Sequence, residues 1–302
     1  MIIGGPVLLI DVFSLLFRAH FALPPLSTRA GEPTAALYGL SSLLLKLLRE
    51  EKPRGTAFAL DRPEATFRHA AYAPYKESRP KAEGALPDAE RVTALLMAFG
   101  FPTFSAPEFE ADDILATLAR ELADLGERPM VVTGDRDCLQ VARGPVTVLL
   151  VSRGQFPAER LDEAAIVRRY GLRPAQLPDY AALVGDPSDN LPGVPGIGPK
   201  TATRLLQRFG SVPSLLEHLA EVEPTRTREA LMAHADRVRL WLLLTRLRDD
   251  VPLPPGPRYA PLTKEHLEQV RDLFRVLEFD SLMPRLNRLE REGGLPHAGQ
   301  AT

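Results

Sequence analysis

The sequence predicts an α/β protein: a parallel-type central sheet flanked by helices, followed by a C-terminal helical subdomain carrying a helix-hairpin-helix. Three observations predict it. Apolar, β-branched runs alternate with helix-period stretches through the first half, the pattern of a parallel sheet covered by helices. Beyond Ser152 helical patterns take over. Within that second half, GDPSDNLPGVPGIGPKTA (185–202) sets Gly193, Gly196 and Gly198 in a tight turn between two helical stretches.

The predicted strands are VLLID (7–11), TAFALD (56–61), PMVVTGD (129–135) and VTVLLVS (146–152). Three of these runs end in aspartate, at Asp11, Asp61 and Asp135, and Asp137 follows on the last loop. Aspartate favours turns, which accounts for any one of them. Together they put carboxylates beyond the carboxyl ends of the strands, where ligands bind in such sheets.

In FEADDILATLARELADLG (109–126), Leu115, Leu118, Leu122 and Leu125 recur with the period of an amphipathic helix that Gly126 ends. Glu110, Asp112 and Asp113 crowd its start. A helix N-terminus stabilises each acid by roughly 0.3–1 kcal/mol. Two like charges about 6 Å apart repel by roughly 3 kcal/mol at an effective dielectric near 20. Taken alone, the segment suits either helix-start chemistry or a cation site. The helix runs directly into the third strand, so its N-terminus belongs at the carboxyl edge, with its acids facing Asp11, Asp61, Asp135 and Asp137. Carboxylates gathered in one crevice need cations to stay ionised.

Residues 62–90 differ in kind, with scattered Pro and Gly and a basic, aromatic lean: Arg68, Lys76, Arg79 and Lys81 interleave with Tyr72 and Tyr75. The segment reads as a surface loop or as an arch that holds a polyanion, cations on phosphates and a ring on a base. Further on, Asp162 caps a helix that Gly171 stops, and 177–185 forms a short helix before the glycine-rich turn. Asp186 and Asp189 precede that turn, Pro199 suits the first turn of the next helix, and Lys200 and Thr201 follow. Bare glycines let backbone N–H groups approach phosphate, and Lys200 adds charge. Such a device grips duplex backbone without reading bases. The expected organisation is a core over 1–180 with an arch at 62–90, a helical subdomain over 181–292 whose last helices, over 263–292, pack back on the core, and a disordered tail at 293–302.

The bulk composition is that of a soluble globular chain, 45% apolar and 25% charged over 302 residues. The single cysteine, Cys138, excludes an internal disulfide framework and a cysteine-based zinc site. The N-terminus is a poor signal peptide, and no apolar run spans a bilayer, so the expectation is a cytoplasmic, nucleoid-associated bacterial protein with no membrane partner. The net charge of −2 comes from 39 acidic and 37 basic residues. With nine candidate site acids set aside, the rest of the surface is net basic, as a DNA partner requires.

LLIDVFSLLFRAHFAL, FRHAAYAPYKESR, EFEADDILATLA, VVTGDRDCLQV and GDPSDNLPGVPGIGPKTA occur in that order. In this set the chain resembles the 5′-nuclease family, most closely the 5′→3′ exonuclease domains of bacterial DNA polymerase I, with the flap endonucleases as relatives. The resemblance runs from about residue 7 to 290. It implies a PIN-like core and two divalent ions, Mg2+ or Mn2+. The first would be held by Asp11, Asp61, Glu110, Asp112 and Asp113, the second by Asp135, Asp137, Asp186 and Asp189. It places Tyr75, Lys76 and Arg79 near the scissile phosphate. Arg18, Arg68, Lys81, Gly193, Gly196, Gly198, Lys200 and Thr201 fall on DNA, with a potassium ion at the hairpin. The implied substrates are branched or nicked DNA with a 5′ flap and RNA-primed DNA ends, and the implied partner is a polymerase module or a separate polymerase. Val12, Phe17, Cys138 and Leu139 depart from the usual family residues, but no acid is lost.

Two other classes compete. An inactive DNA-binding protein on this scaffold would lack carboxylates, and all nine are present. A haloacid dehalogenase-type phosphatase needs a second acid after the first strand, where DVF offers one; PIN-like ribonucleases are shorter and lack the hairpin segment.

Overall fold

Six strands, β1 (Val7–Asp11), β2 (Gly55–Ala59), β3 (Thr103–Phe104), β4 (Pro129–Thr133), β5 (Thr147–Val151) and β6 (Ala158–Leu161), form one sheet in the computed structural model. It describes residues 4–77, 87, 89–152 and 158–292. The strand order is β3-β2-β1-β4-β5-β6. β1 to β5 run parallel, and β6 pairs antiparallel to β5. The four predicted strands are present. β3 escaped notice because two residues carry no period. β6 reads AERL, three of its four residues exposed, the charged composition of an edge strand rather than a buried one.

The helices are α1 (Val12–Ala22), α2 (Ala35–Glu51), α3 (Phe67–Ala71), α4 (Ala89–Phe99), α5 (Ala111–Asp124), α6 (Glu163–Tyr170), α7 (Leu177–Val184), α8 (Pro199–Phe209), α9 (Val212–Glu217), α10 (Thr225–Thr245), α11 (Lys264–Val276) and α12 (Met283–Arg291). Strand side chains alternate between the sheet's two faces. Leu8, Ile10, Phe58 and Val132 join a core with α1, α2, α4, α11 and α12. Val7, Leu9, Ala57 and Val131 join another with α5 and α6. Burial on both faces explains why the runs are apolar throughout rather than alternating.

On α5 the buried stripe is Ile114, Leu115, Leu118 and Leu122, whereas Leu125 is 75% exposed. Leu125 caps the helix and Gly126 turns the chain at φ +80°, so the predicted stripe ends one leucine early, at Leu122. Asp162 caps α6, accepting from the Ala165 N–H, and Gly171 ends it at φ +67°. A third core joins α7 to α10 around Leu183, Val194, Ile197, Leu206 and Trp241. The helical unit expected to reach residue 292 ends sooner, and its last helices pack back on the core as the sequence over 263–292 implies. Leu267, Val270, Phe274, Leu286 and Leu289 return to the first sheet face, because α11 and α12 have apolar stripes that α4 and α2 complete.

The expected open segment 62–90 is also corrected in part. Residues 67–71 form α3, and Tyr75 is buried. Arg79 and Lys81 lie outside the described residues, as does the 293–302 tail. No described helix is long and apolar enough to cross a membrane.

Candidate metal centre and nucleic-acid interface

From β1 the chain crosses to β2 on one side and later returns to β4 on the other, so the order reverses at β1. Crevices at such switch points are where α/β sheets bind ligands. Asp11 ends β1 there. Its Oδ1 accepts the Ser14 N–H at 3.2 Å, capping α1, and its Oδ2 accepts the Thr133 hydroxyl at 2.6 Å. Thr133 Oγ1 in turn accepts the Asp135 N–H at 2.9 Å. Thr133 therefore joins the acids of β1 and β4, a role the sequence reading missed although TGD at the strand end carried the signal. Asp61 Oδ1 accepts the Ala111 N–H at 2.8 Å, which ties the β2 loop to the start of α5. Asp135 Oδ1 accepts the Asp137 N–H at 3.0 Å.

The loop after α7 supplies the last pair. Asp186 and Leu191 exchange backbone hydrogen bonds of 2.8 Å, Asp186 Oδ1 accepts both donors of Ser188, and Asp189 is buried. The electrostatics join these pieces. Burial, then the charge of Asp61, pushes the Asp11 carboxyl up to about 7. Burial and then Asp135 raise Asp112 well above the carboxylate range. Burial raises Asp137 likewise, followed by the charges of Asp135, Asp189 and Asp186. Acids from β1, β2, α5, the β4 loop and the α7 loop thus act on one another across one cleft.

Glu110 is the exception in sign. Burial works to raise its pKa, but Lys76 and Arg68, with hydrogen bonds from Lys76 and Tyr75, outweigh it and hold the carboxyl low. Lys76 Nζ lies 2.7 Å from Glu110 Oε1, and the Tyr75 hydroxyl donates to Oε2 at 3.1 Å.

Four predicted roles change. Asp113 is fully buried and saturated: its carboxylate accepts a two-pronged Arg68 fork at 2.6 and 2.8 Å and the N–H groups of Glu110 and Arg248. It faces the protein rather than the cleft, because successive helix residues point in different directions. Arg68, expected on DNA, is 1% exposed, and its Nε also donates to the Leu244 carbonyl. Burial opposes its charge, but Asp113 and Glu110 raise its pKa. Tyr75, expected beside the scissile phosphate, is buried; burial and then the Glu110 charge raise its phenol, which stays a donor to Glu110. Tyr72 packs on the third core rather than standing free for a base.

Arg18 lies beside the same cleft and donates to the Gly134 carbonyl. Cys138 is buried, and its thiol donates to Asp112 Oδ1 at 3.1 Å, a polar contact at one of the positions that depart from the usual family residues. Among the described residues, no group of three or more acids, histidines or cysteines is already drawn together in metal-holding geometry. The donor set still suits hard divalent cations. Every group converging on the cleft offers carboxylate oxygen, and burial leaves three of those carboxylates with a raised pKa that a cation would reverse.

The turn between α7 and α8 uses its glycines in two ways. A Cβ on Gly193 would meet the Val184 carbonyl at 2.3 Å and the Gly185 nitrogen at 2.5 Å, at φ +70°. Cβ atoms on Gly196 and Gly198 would meet nothing within 4 Å. Gly193 lets two chain segments touch; Gly198 caps α8 and Pro199 starts it, leaving an open approach to the helix's first N–H groups. Lys200 is exposed and Thr201 half-buried. Gly193→Ala is therefore expected to cost roughly 2 kcal/mol or more in urea unfolding. Gly198→Ala is expected to leave stability within about 0.5 kcal/mol while weakening duplex binding in a gel-shift titration.

Two family profiles cover most of the chain: "5'-3' exonuclease, N-terminal resolvase-like domain" matches residues 6–171 and "5'-3' exonuclease, C-terminal SAM fold" matches 172–268. DNA polymerase I of Mycobacterium bovis is 42% identical over 295 residues, covering 95% of this chain and 32% of its own length. The thermostable DNA polymerase I of Thermus thermophilus is 40% identical over 295 residues, covering 97% of this chain and 34% of its own. The chain thus spans about a third of the length of these curated relatives. Among solved structures, T5 5′-exonuclease with bound divalent zinc ions superposes with a TM-score of 0.64 at 20% identity, over 95% of this chain and 97% of that one. The catalytic core of Rad2 in complex with DNA substrate gives 0.60 at 17%, over 93% of each chain; at such identities these two show a shared fold. With one profile covering the sheet and its helices and the other beginning where the third core begins, the chain belongs to the 5′-3′ exonuclease family.

Proposed function

We propose that this chain is a structure-specific 5′-nuclease, a 5′→3′ exonuclease and 5′-flap endonuclease that hydrolyses phosphodiester bonds with two divalent ions. The observation that carries this reading is the hydrogen-bonded tie of Asp11 to the Asp135 loop through Thr133, with Asp61 bonded to the start of α5, which gathers acids from three elements at the carboxyl edge of the sheet. Asp11, Asp61, Glu110, Asp112, Asp135, Asp137, Asp186 and Asp189 would hold Mg2+ or Mn2+, with Asp113 as their buttress. When bound, such ions stabilise the attacking and leaving oxygens of an in-line displacement at phosphorus.

The chain's own groups do the rest. Lys76, at the mouth of the cleft, neutralises charge that builds on the scissile phosphate, assisted by Arg79. The hairpin at 193–200, with Lys200, Thr201 and a potassium ion, grips the downstream duplex through its backbone, so shape rather than sequence is recognised. Arg18 and Lys81 steer the strand that enters. The substrates are nicked or branched DNA with a 5′ flap and RNA-primed ends, met at the nucleoid in the cytoplasm, in company with a polymerase module or a separate polymerase. That assignment draws support from the polymerase relatives and from solved relatives with DNA and metal ions bound.

The deciding experiment is cleavage of a labelled 5′-flap duplex in Mg2+ or Mn2+ against excess EDTA. Cutting that continues undiminished in EDTA overturns the reading. Lys76→Ala is expected to lower kcat by about 100-fold with little change in duplex Kd, measured by single-turnover kinetics and anisotropy. Lys200→Ala is expected to weaken duplex binding and to reduce the salt slope by about 1.

A further inference from the structure

Lys76 is held at both ends by different parts of the acidic cleft. Its Nζ meets Glu110 at 2.7 Å, while its backbone N–H donates to the Asp189 carbonyl at 3.3 Å. Next in the chain to Asp189, Asn190 sends its Nδ2 back to the Pro74 carbonyl at 2.9 Å, and its own carbonyl accepts the Tyr72 hydroxyl at 3.5 Å. Two segments more than 100 residues apart are thus stitched by three bonds. Lys76 at φ +56° and Asn190 at φ +60° both adopt left-handed backbone. Asparagine visits that region readily, lysine does not. A lysine kept there costs of order 1 kcal/mol and persists only where its surroundings enforce it.

A plain turn role explains Asn190 only halfway. It ends the short helical turn Pro187–Asp189 in left-handed geometry, which glycine would do as well. The amide side chain does something glycine cannot, for it fixes the carbonyl two residues before Lys76. We propose that Asn190 is a positioning residue for the nuclease reaction, tying residues 72–77 to the 186–191 loop so that Lys76 keeps its register with the Asp186/Asp189 pair. The proposal rests on the nuclease reading for its kinetic consequence alone. Its structural consequence stands apart from that reading: the Lys76 backbone moves with the α7 loop rather than with α3.

The test uses Asn190→Gly, which keeps the backbone geometry and deletes the donor, and Asn190→Asp, which keeps the shape and sets an acceptor against the Pro74 carbonyl. In hydrogen-exchange mass spectrometry of the metal-free chain, both variants are expected to speed exchange in the 75–77 amides at least about tenfold. The sheet amides should be unchanged. On a 5′-flap duplex, Asn190→Gly is expected to lower kcat about tenfold with KM steady. Combined with Lys76→Ala it should cost nothing beyond Lys76→Ala alone. Unchanged exchange at 75–77, or kinetic losses that multiply in the double variant, would overturn the proposal. A wild-type chain that leaves the flap uncut would sink the nuclease reading, and the exchange result would still decide the stitch.

Discussion

Asp112→Asn is expected to abolish flap cleavage while making the metal-free protein more stable. Asp112 sits half-buried at the start of α5 with its carboxyl pushed well above the ordinary range, first by burial and then by Asp135, Asp11 and Asp61. The amide keeps the size and can still accept the Cys138 thiol, and it removes one charge from the repelling set. A gain of about 1–2 kcal/mol in unfolding free energy follows, the usual sign at a site built for function rather than stability. The sign with pH is fixed as well. A carboxyl whose folded pKa is raised lowers stability as pH climbs above the unfolded value, so the gain should vanish as pH falls below the ordinary carboxylate range, where wild type is neutral in both states. Added Mg2+ should stabilise wild type by about 2.7 kcal/mol at 100 times Kd and the variant by less. The cleavage rate should fall by about 1,000-fold or more, since a charged oxygen donor to the ions is lost. Melting curves with and without Mg2+, beside a flap assay, check all three. A variant that melts lower and cuts normally would remove Asp112 from the centre.

Arg68→Met carries the largest stability loss expected. It leaves the Asp113 carboxyl group fully buried without its fork, and breaking such a pair from one side costs about 3–5 kcal/mol. That is a large share of the 5–15 kcal/mol typical of a folded domain. The Nε bond to Leu244 and the 3.3 Å bond to the Arg246 carbonyl go with it. Urea unfolding should show the drop. Arg68→Met combined with Asp113→Leu should recover part of it, because a well-packed apolar pair replaces a buried ionic one at little cost. Were Arg68 a DNA contact instead, the single variant would keep its stability and lose duplex affinity.

Those two residues also mark where the sequence stopped being informative. Strand-end acids were legible because a run of buried residues has a definite end, and a parallel sheet has one functional edge. Asp112 and Asp113 were not separable: adjacent helix positions differ by about 100° in direction, and the arginine that claims Asp113 lies 45 residues away. Tyr75 and Arg68 read as an exposed basic and aromatic stretch because composition cannot show that α3 packs inward. Thr133 and Asn190 escaped for a related reason, since their type suits an ordinary turn and only their distant partners give them a role. Gly193 and Gly198, by contrast, read alike in the motif, and only the packing around each tells a close approach from an open face.

The return of α11 and α12 to the first sheet face bears on how the molecule can be divided. The profile covering 6–171 takes in the whole sheet but neither helix. A fragment cut at that boundary would bare Leu37, Leu44, Phe99 and their neighbours to water. It would also strip Arg68 of its carbonyl acceptors in the 244–246 segment. Such a piece should clump or stay molten rather than fold by itself, so the two profile-matched modules form one cooperative folding unit, sewn shut by α11 and α12.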